Sequence, residues 1–115
     1  MKLRSILLVL FLSIASAQGL LAPVSIPDIS GTGSAVAIAA SGTVVRFCQL
    51  VAPSTNTNNV RWGDSAITTS RGSIIAPGGG QFIPPGGVGS PYTIDLGHWY
   101  VLVQSGDYLT ETCAK

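Results

Sequence analysis

The sequence predicts a small all-β protein, a single-domain β-sandwich of jelly-roll or immunoglobulin-like type with about seven to nine short strands. Runs of β-branched and aromatic residues, such as residues 44–51, are separated by Gly, Pro and Asn at near-regular intervals. Ten of the fifteen residues at 77–91 are Gly or Pro, which excludes a helix there. After residue 17, no segment keeps the 3.6-residue hydrophobic period of a helix.

Residues 1–17 predict a secretory signal peptide. Lys2 and Arg4 precede an apolar run, and Ala15-Ser16-Ala17 supplies the small residues that a signal peptidase requires. A retained membrane anchor is the alternative, but the apolar run is shorter than the roughly 20 residues that a membrane span needs. We therefore expect a mature domain at residues 18–115 and a secreted location, either extracellular or periplasmic.

The predicted mature chain carries little charge. Four basic residues face five acidic ones, a net charge of about −1. Binding to nucleic acid or to anionic lipid needs clustered Lys and Arg, so neither partner is expected, nor is a membrane after signal cleavage. No grouping of His, Cys and carboxylates has the spacing of metal ligands, and we predict no cofactor.

The first half of the mature chain contains three predicted strands. Residues 24–26 are expected to form an edge strand because Pro stands on both sides. Residues 35–40 and 44–51 follow, and period-two alternation leaves both faces of the second largely apolar, as in a central strand. We assign Gly31-x-Gly33 to a turn rather than a phosphate-binding loop, because no strand-to-helix unit surrounds it.

The second half alternates short strands with turns. A polar turn at residues 53–58 leads into a strand at 59–64, and the stretch 59–85 is expected to cross between the two halves of the fold. Further strands are predicted at residues 73–76, 81–83, 92–96, 99–104 and 108–113. The last two are separated by Ser105-Gly106-Asp107, which is the spacing of a β-hairpin.

Cys48 and Cys113 are predicted to form a disulfide, because an exported protein with an even number of cysteines favours one. Their wide separation and the absence of nearby His argue against zinc. Two buried free thiols are the alternative. The side chains would meet between the sheets if the strands that carry them faced one another.

Two motifs resemble parts of the Gly-Asp-Ser esterases and lipases. Gly63-Asp64-Ser65 matches the nucleophile block, and Asp95-Leu96-Gly97-His98 has the spacing that supplies the general base. The resemblance implies a doubly wound α/β domain of about twice this length with a Gly-x-Asn-Asp block, which this chain lacks. We therefore interpret both motifs as turns and predict no catalytic activity; a small esterase is the remote alternative.

The aromatic and charged side chains allow further expectations. Three aromatic residues are expected in the core: Phe47, Trp62 and Trp99. Three others are expected as surface anchors: Tyr92, Tyr100 and Tyr108. Arg61 is expected to pair with Glu111 or Asp64, an exposed contact that contributes at most about 1 kcal/mol. The sparse charge leaves strand edges unprotected, and strands 99–104 and 108–113 are expected to offer the available edge, with Tyr100 and Tyr108 as the interaction candidates.

A set of short motifs resembles a group of short bacteriophage proteins without a defined activity: Pro53-Ser54-Thr55-Asn56, Val60-Arg61-Trp62-Gly63-Asp64, Ser70-Arg71-Gly72, Ala76-Pro77-Gly78-Gly79-Gly80, Asp95-Leu96, and Tyr100-Val101 before Gly106-Asp107. The resemblance implies an all-β, virion-associated protein, although the export signal and the cysteines argue against a place inside a capsid. We expect a secreted or virion-associated structural protein that assembles with itself or with a larger particle. An extracellular glycan- or peptide-binding module is the alternative.

Overall fold

The computed structural model describes residues 22–84 and 93–115, which form eleven short strands and one 3₁₀ turn. The strands are β1 (Pro23–Val24), β2 (Ile29–Ser30), β3 (Ala35–Ala37), β4 (Val44–Val45), β5 (Phe47–Val51), β6 (Val60–Gly63), β7 (Ser73–Ile75), β8 (Gly80–Ile83), β9 (Ile94–Asp95), β10 (Tyr100–Leu102) and β11 (Tyr108–Ala114). The 3₁₀ turn Leu96–His98 lies between β9 and β10. The predicted signal peptide, Tyr92 and most of the Gly/Pro-rich loop lie outside the described residues.

Two antiparallel sheets pack face to face as a sandwich, which confirms the predicted fold class. The five-stranded sheet has the order β1-β11-β5-β8, with β2 also paired to β11, and the four-stranded sheet has the order β3-β10-β6-β7. Strands β4 and β9 form a separate two-stranded ribbon. The core joins both sheets, with Leu50 and Leu109 from the first and Val60 and Val101 from the second, all without solvent exposure.

The strand at residues 44–51 is interrupted at Arg46, which the alternation pattern did not predict. Val45 and Cys48 are both fully buried, although strict period-two alternation would place them on opposite faces. The interruption turns the chain, so that Arg46 is exposed and its backbone N–H donates to the carbonyl of Ala114 at 2.8 Å. Phe47 consequently lies on the outer face of its sheet.

The predicted hairpin between β10 and β11 is wrong, because the two strands belong to different sheets. β10 is flanked by β3 and β6, while β11 is flanked by β5 on one side and by β1 and β2 on the other. Neither strand has a free side for the other. The chain crosses between the sheets in a tight turn, in which Asp107 donates its N–H to Gln104 at 3.0 Å and Gly106 adopts a φ of 89°.

Cys48 and Cys113 form a disulfide, as predicted, but not between facing sheets. They are direct partners on the adjacent strands β5 and β11, with Cα atoms 4.0 Å apart. Both point inward and are buried. Because the bridge joins residues 65 positions apart, it stabilises the fold by about 4 kcal/mol in the chain-entropy model.

Within residues 22–84 and 93–115, no helix has the length and apolar character needed to cross a membrane.

Candidate functional site

Ser65 and His98 are the residues that the esterase alternative would use. They lie at the same end of the four-stranded sheet, since Gly63 pairs with Tyr100. Both side chains are exposed, and no hydrogen bond among the described residues joins them. The carboxylate of Asp95 instead accepts the N–H of Gly97 at 2.9 Å and that of Gly42 at 3.0 Å. These two backbone donors lower the pKa of Asp95. Asp95 therefore holds a turn together as the cap of the 3₁₀ segment.

Asp64 likewise stabilises a turn. Its carboxylate accepts the backbone N–H of Ala66 at 2.9 Å and lies 3.6 Å from the guanidinium of Arg71, with both charged side chains about two-thirds exposed. The predicted pairing of Arg61 with Asp64 or Glu111 is wrong. Arg61 donates to the carbonyl oxygen of Gly72 at 2.9 Å instead.

Asp107 is the most heavily hydrogen-bonded side chain in the described part of the molecule. Only 3% of it is exposed, and its carboxylate accepts the backbone N–H groups of Thr57 and Asn58 at 3.0 Å. The Thr57 hydroxyl and the Asn58 amide add two more bonds at 3.3 Å. The N–H of Thr57 is the largest cause that lowers the pKa of Asp107.

Asn56 completes this arrangement by acting as a substitute strand partner. Its side-chain nitrogen donates to the carbonyl of Tyr108 at 2.7 Å, and its side-chain oxygen accepts the N–H of Tyr108 at 2.9 Å. We call residues 56–58 with Asp107 the polar clamp. All of these residues fall in predicted turns, and no local pattern marks a contact across about fifty positions.

The carboxyl group of Glu111 is buried without a polar partner in the described structure, although the residue as a whole is partly exposed. It points inward with Leu109 and Cys113 on β11, and neither carboxylate oxygen has solvent exposure or a hydrogen bond among the described residues. Burial raises the pKa of Glu111 to about 8, and the nearby charge of Asp28 adds to the shift. Glu111 therefore holds a proton at neutral pH.

The outer side of the five-stranded sheet forms a surface that we call the aromatic face: Phe47, Gln49, Val51, Phe82, Thr110 and Thr112. Phe47 was expected in the core but packs against Phe82 here, with ring centroids 6.3 Å apart. Phe82 is 41% exposed. None of the six side chains is charged, so little opposes the approach of another apolar surface.

The expected core position is confirmed for Trp62, which is 9% exposed. Trp99 is only partly buried and packs against the core, with its ring centroid 5.6 Å from that of Trp62.

Tyr100 and Tyr108 lie on opposite outer faces of the sandwich. Tyr100 is half-buried and alternates with the buried Val101 in the four-stranded sheet. Tyr108 is 51% exposed and alternates with the buried Leu109 in the five-stranded sheet, beside the aromatic face. The expectation that their strands offer a free edge is wrong, because both strands are internal. In the described residues, β7 ends the four-stranded sheet and β8 ends the five-stranded sheet.

Comparison with protein-family models, curated proteins and solved structures gave no match to this chain. Across residues 22–84 and 93–115, no group of three or more His, Cys, Asp or Glu side chains is placed to hold a metal ion.

Proposed function

We propose that the chain is an exported, non-catalytic structural protein that acts by assembling with copies of itself or with a larger particle such as a virion. The observation that carries this proposal is the position of Phe82, an exposed aromatic residue on β8, the strand that ends the five-stranded sheet among the described residues. A terminal strand presents backbone N–H and C=O groups that a second strand can pair with.

Strand β8 itself carries few of the devices that usually protect a terminal strand, although Pro84 follows it directly. Its sequence, Gly80-Gln81-Phe82-Ile83, holds no charged residue and no proline. The partial cover it does have comes from Gln81, whose side-chain amide donates to the carbonyl of Phe82 at 3.0 Å. An incoming strand would replace this bond with a backbone one while covering the two phenylalanine rings.

Tyr108 extends the same apolar surface toward the start of β11. Tyrosine at an interface contributes a large contact area at a small entropic cost. Tyr100 lies on the opposite face and would serve a second contact, so that one copy could bind two neighbours. Such two-sided contacts would produce extended assemblies rather than closed pairs.

Export is supported by the disulfide and by the N-terminal sequence. A disulfide persists in oxidising compartments and is rare where glutathione keeps thiols reduced. The basic, apolar and small-residue segments of residues 1–17 have the order of a secretory signal. The resemblance to short bacteriophage proteins adds the virion as a destination for the assembled form.

Analytical ultracentrifugation of residues 18–115 at tens of micromolar tests the proposal. We expect an oligomer that Phe82→Lys reduces to monomer, because a charge on the terminal strand opposes strand addition. Val44→Lys is the matched control, since Val44 is 44% exposed but lies in the separate ribbon. The double variant Tyr100→Ala with Tyr108→Ala should weaken assembly without unfolding. A strict monomer that is also absent from purified particles would refute the proposal.

A further inference from the structure

A second surface on the opposite side of the sandwich has the chemistry of a binding site. A cleft of about 240 Å³ opens on the outer face of the four-stranded sheet, where β6 begins and β10 ends. Six residues line it: Asn58, Asn59, Arg61, Thr69, Leu102 and Gln104. Arg61 and Leu102 are direct partners in the β6–β10 ladder.

The lining combines one positive charge with neutral hydrogen-bonding groups. Five of the six side chains are polar, none is acidic, and Leu102 is the single apolar one, only 5% exposed. Arg61 uses one Nη1 hydrogen toward Gly72 and forms no ion pair within the described residues. Its remaining N–H groups are left for another acceptor.

The polar clamp fixes one wall of the cleft. Asn58 is held by its backbone N–H and its side-chain amide, both of which donate to the carboxylate of Asp107. The side-chain nitrogen of Asn58 also donates to the Thr57 hydroxyl at 3.1 Å. The side-chain oxygen of Asn58 therefore remains an acceptor for a ligand. A group held in place before binding loses less conformational entropy when a ligand arrives.

Three other lining side chains have no internal hydrogen bond in the described structure, namely those of Asn59, Thr69 and Gln104. Two amides and a hydroxyl provide both donors and acceptors, which is what a set of sugar hydroxyls requires. The guanidinium group is the side chain best suited to a carboxylate, which it binds through two parallel bonds. The volume is slightly below the roughly 300–1,000 Å³ of drug-sized sites, so it suits one monosaccharide unit.

We propose that this cleft binds a carboxylate-bearing sugar, a uronic-acid unit either free or within an acidic polysaccharide. Arg61 binds the carboxylate, and the amides of Asn59 and Gln104 bind hydroxyls beside it. This role goes beyond assembly, because the cleft and the aromatic face lie on opposite sheets. An assembly built through β8 would leave the clefts open for an acidic glycan, whereas a contact through Tyr100, which shares the outer face of β10 with Leu102, would lie beside them.

Amide chemical shifts of ¹⁵N-labelled residues 18–115, titrated with sodium glucuronate, test the inference. We expect concentration-dependent shifts at residues 58–61, at Thr69 and at Gln104. Glucose keeps the hydroxyls but lacks the carboxylate. It should bind at least about tenfold more weakly, because the charge-assisted hydrogen bonds to Arg61 are lost. A galacturonate oligosaccharide distinguishes the sources: tighter binding than glucuronate identifies a polysaccharide, and equal binding a free sugar acid.

Variants separate the cleft from general charge effects. Arg61→Gln should weaken glucuronate binding about tenfold or more, whereas Arg46→Gln removes the same charge from an exposed residue outside the cleft and should leave binding unchanged. If Arg61→Gln fails to fold, Gln104→Ala tests the same cleft, and it should weaken binding severalfold.

Three results would overturn the inference. These are the absence of localised shifts with glucuronate and with the oligosaccharide, equal binding of acetate, and equal binding of a short glutamate peptide. Acetate carries the charge without hydroxyls, so its equal binding would show that the cleft recognises only an anion. Sedimentation of the Arg61→Gln variant should match that of the unsubstituted protein, which keeps this test independent of assembly.

Discussion

Asp107, directly before β11, and Glu111, in its middle, both bury a carboxyl group but in opposite environments. Four donors surround the carboxylate of Asp107, whereas no described donor reaches that of Glu111. The pKa of Asp107 is lowered, and the pKa of Glu111 is raised to about 8. The hydrogen bonds around Asp107 stabilise its ionised form, whereas Glu111 avoids ionisation by keeping its proton.

The comparison separates two uses of a buried acid. Asp107 must be charged to hold Thr57 and Asn58 against the turn before β11, so it stabilises the fold by remaining ionised. Glu111 stabilises nothing through its charge, and Asp28 makes ionisation less favourable still. One carboxyl group therefore organises the surface around the sugar-sized cleft, while the other makes the core sensitive to alkaline pH.

Removal of Asp107 should have the largest effect. Asp107→Ala leaves the N–H groups of Thr57 and Asn58 without their acceptor in a partly buried place, which is costly. We expect a loss in the free energy of unfolding about three times that of Asp64→Ala or more, measured by urea denaturation. Asp64 is the matched control because its carboxylate also caps a turn but is exposed. Equal losses would show that the clamp is not a buried structural unit.

Glu111→Gln should change the free energy of unfolding in the opposite direction and stabilise the fold. At about pH 8 and above the substitution removes a charge that burial opposes. We expect about 1–2 kcal/mol of added stability, which is less than the full pKa shift implies because the residue is partly exposed to solvent. At about pH 4 the variant and the parent should be nearly equal, since Glu111 is then mostly protonated in the folded and the unfolded states. Destabilisation at alkaline pH would refute this. Asp28→Asn should reproduce part of the gain.

The pH dependence of stability should follow from the same two groups. The raised pKa of Glu111 means that its contribution is complete below about 4.5 and is lost as the pH rises toward about 8. The lowered pKa values of Asp95 and Asp107 mean that theirs is complete above about 3.8 and is lost as the pH falls further. Urea midpoints across this range should therefore peak at mildly acidic pH. A plateau that extends to alkaline pH would contradict the assignment of Glu111.

The smallest effect is expected at the exposed pair. Ser65→Ala and His98→Ala remove side chains that make no hydrogen bond in the described structure, so stability should change by no more than about 0.5 kcal/mol. A catalytic pair would lose several orders of magnitude in rate. Esterase activity of the pure protein that disappears in both variants would contradict the non-catalytic proposal.

The sequence predicts where strands lie better than it predicts which strands pair. The apolar alternation in β5 and the β-branched runs elsewhere are local, so most strands were predicted near their observed positions. Partners depend on contacts distant in the chain: β1 and β2 occupy the side of β11 that a hairpin with β10 would need. The same limit applies to the clamp, because nothing near Asn56 indicates that its amide pairs with Tyr108.

The buried disulfide also provides a way to measure how often β5 and β11 separate. A reducing thiolate must approach a sulfur atom directly, and Cys48 and Cys113 are 0% and 2% exposed. Under native conditions the bridge can react only while β5 and β11 are transiently separated. The rate at which a reductant breaks it therefore reports how often this pair of strands comes apart, and that frequency should rise with pH as Glu111 loses its proton.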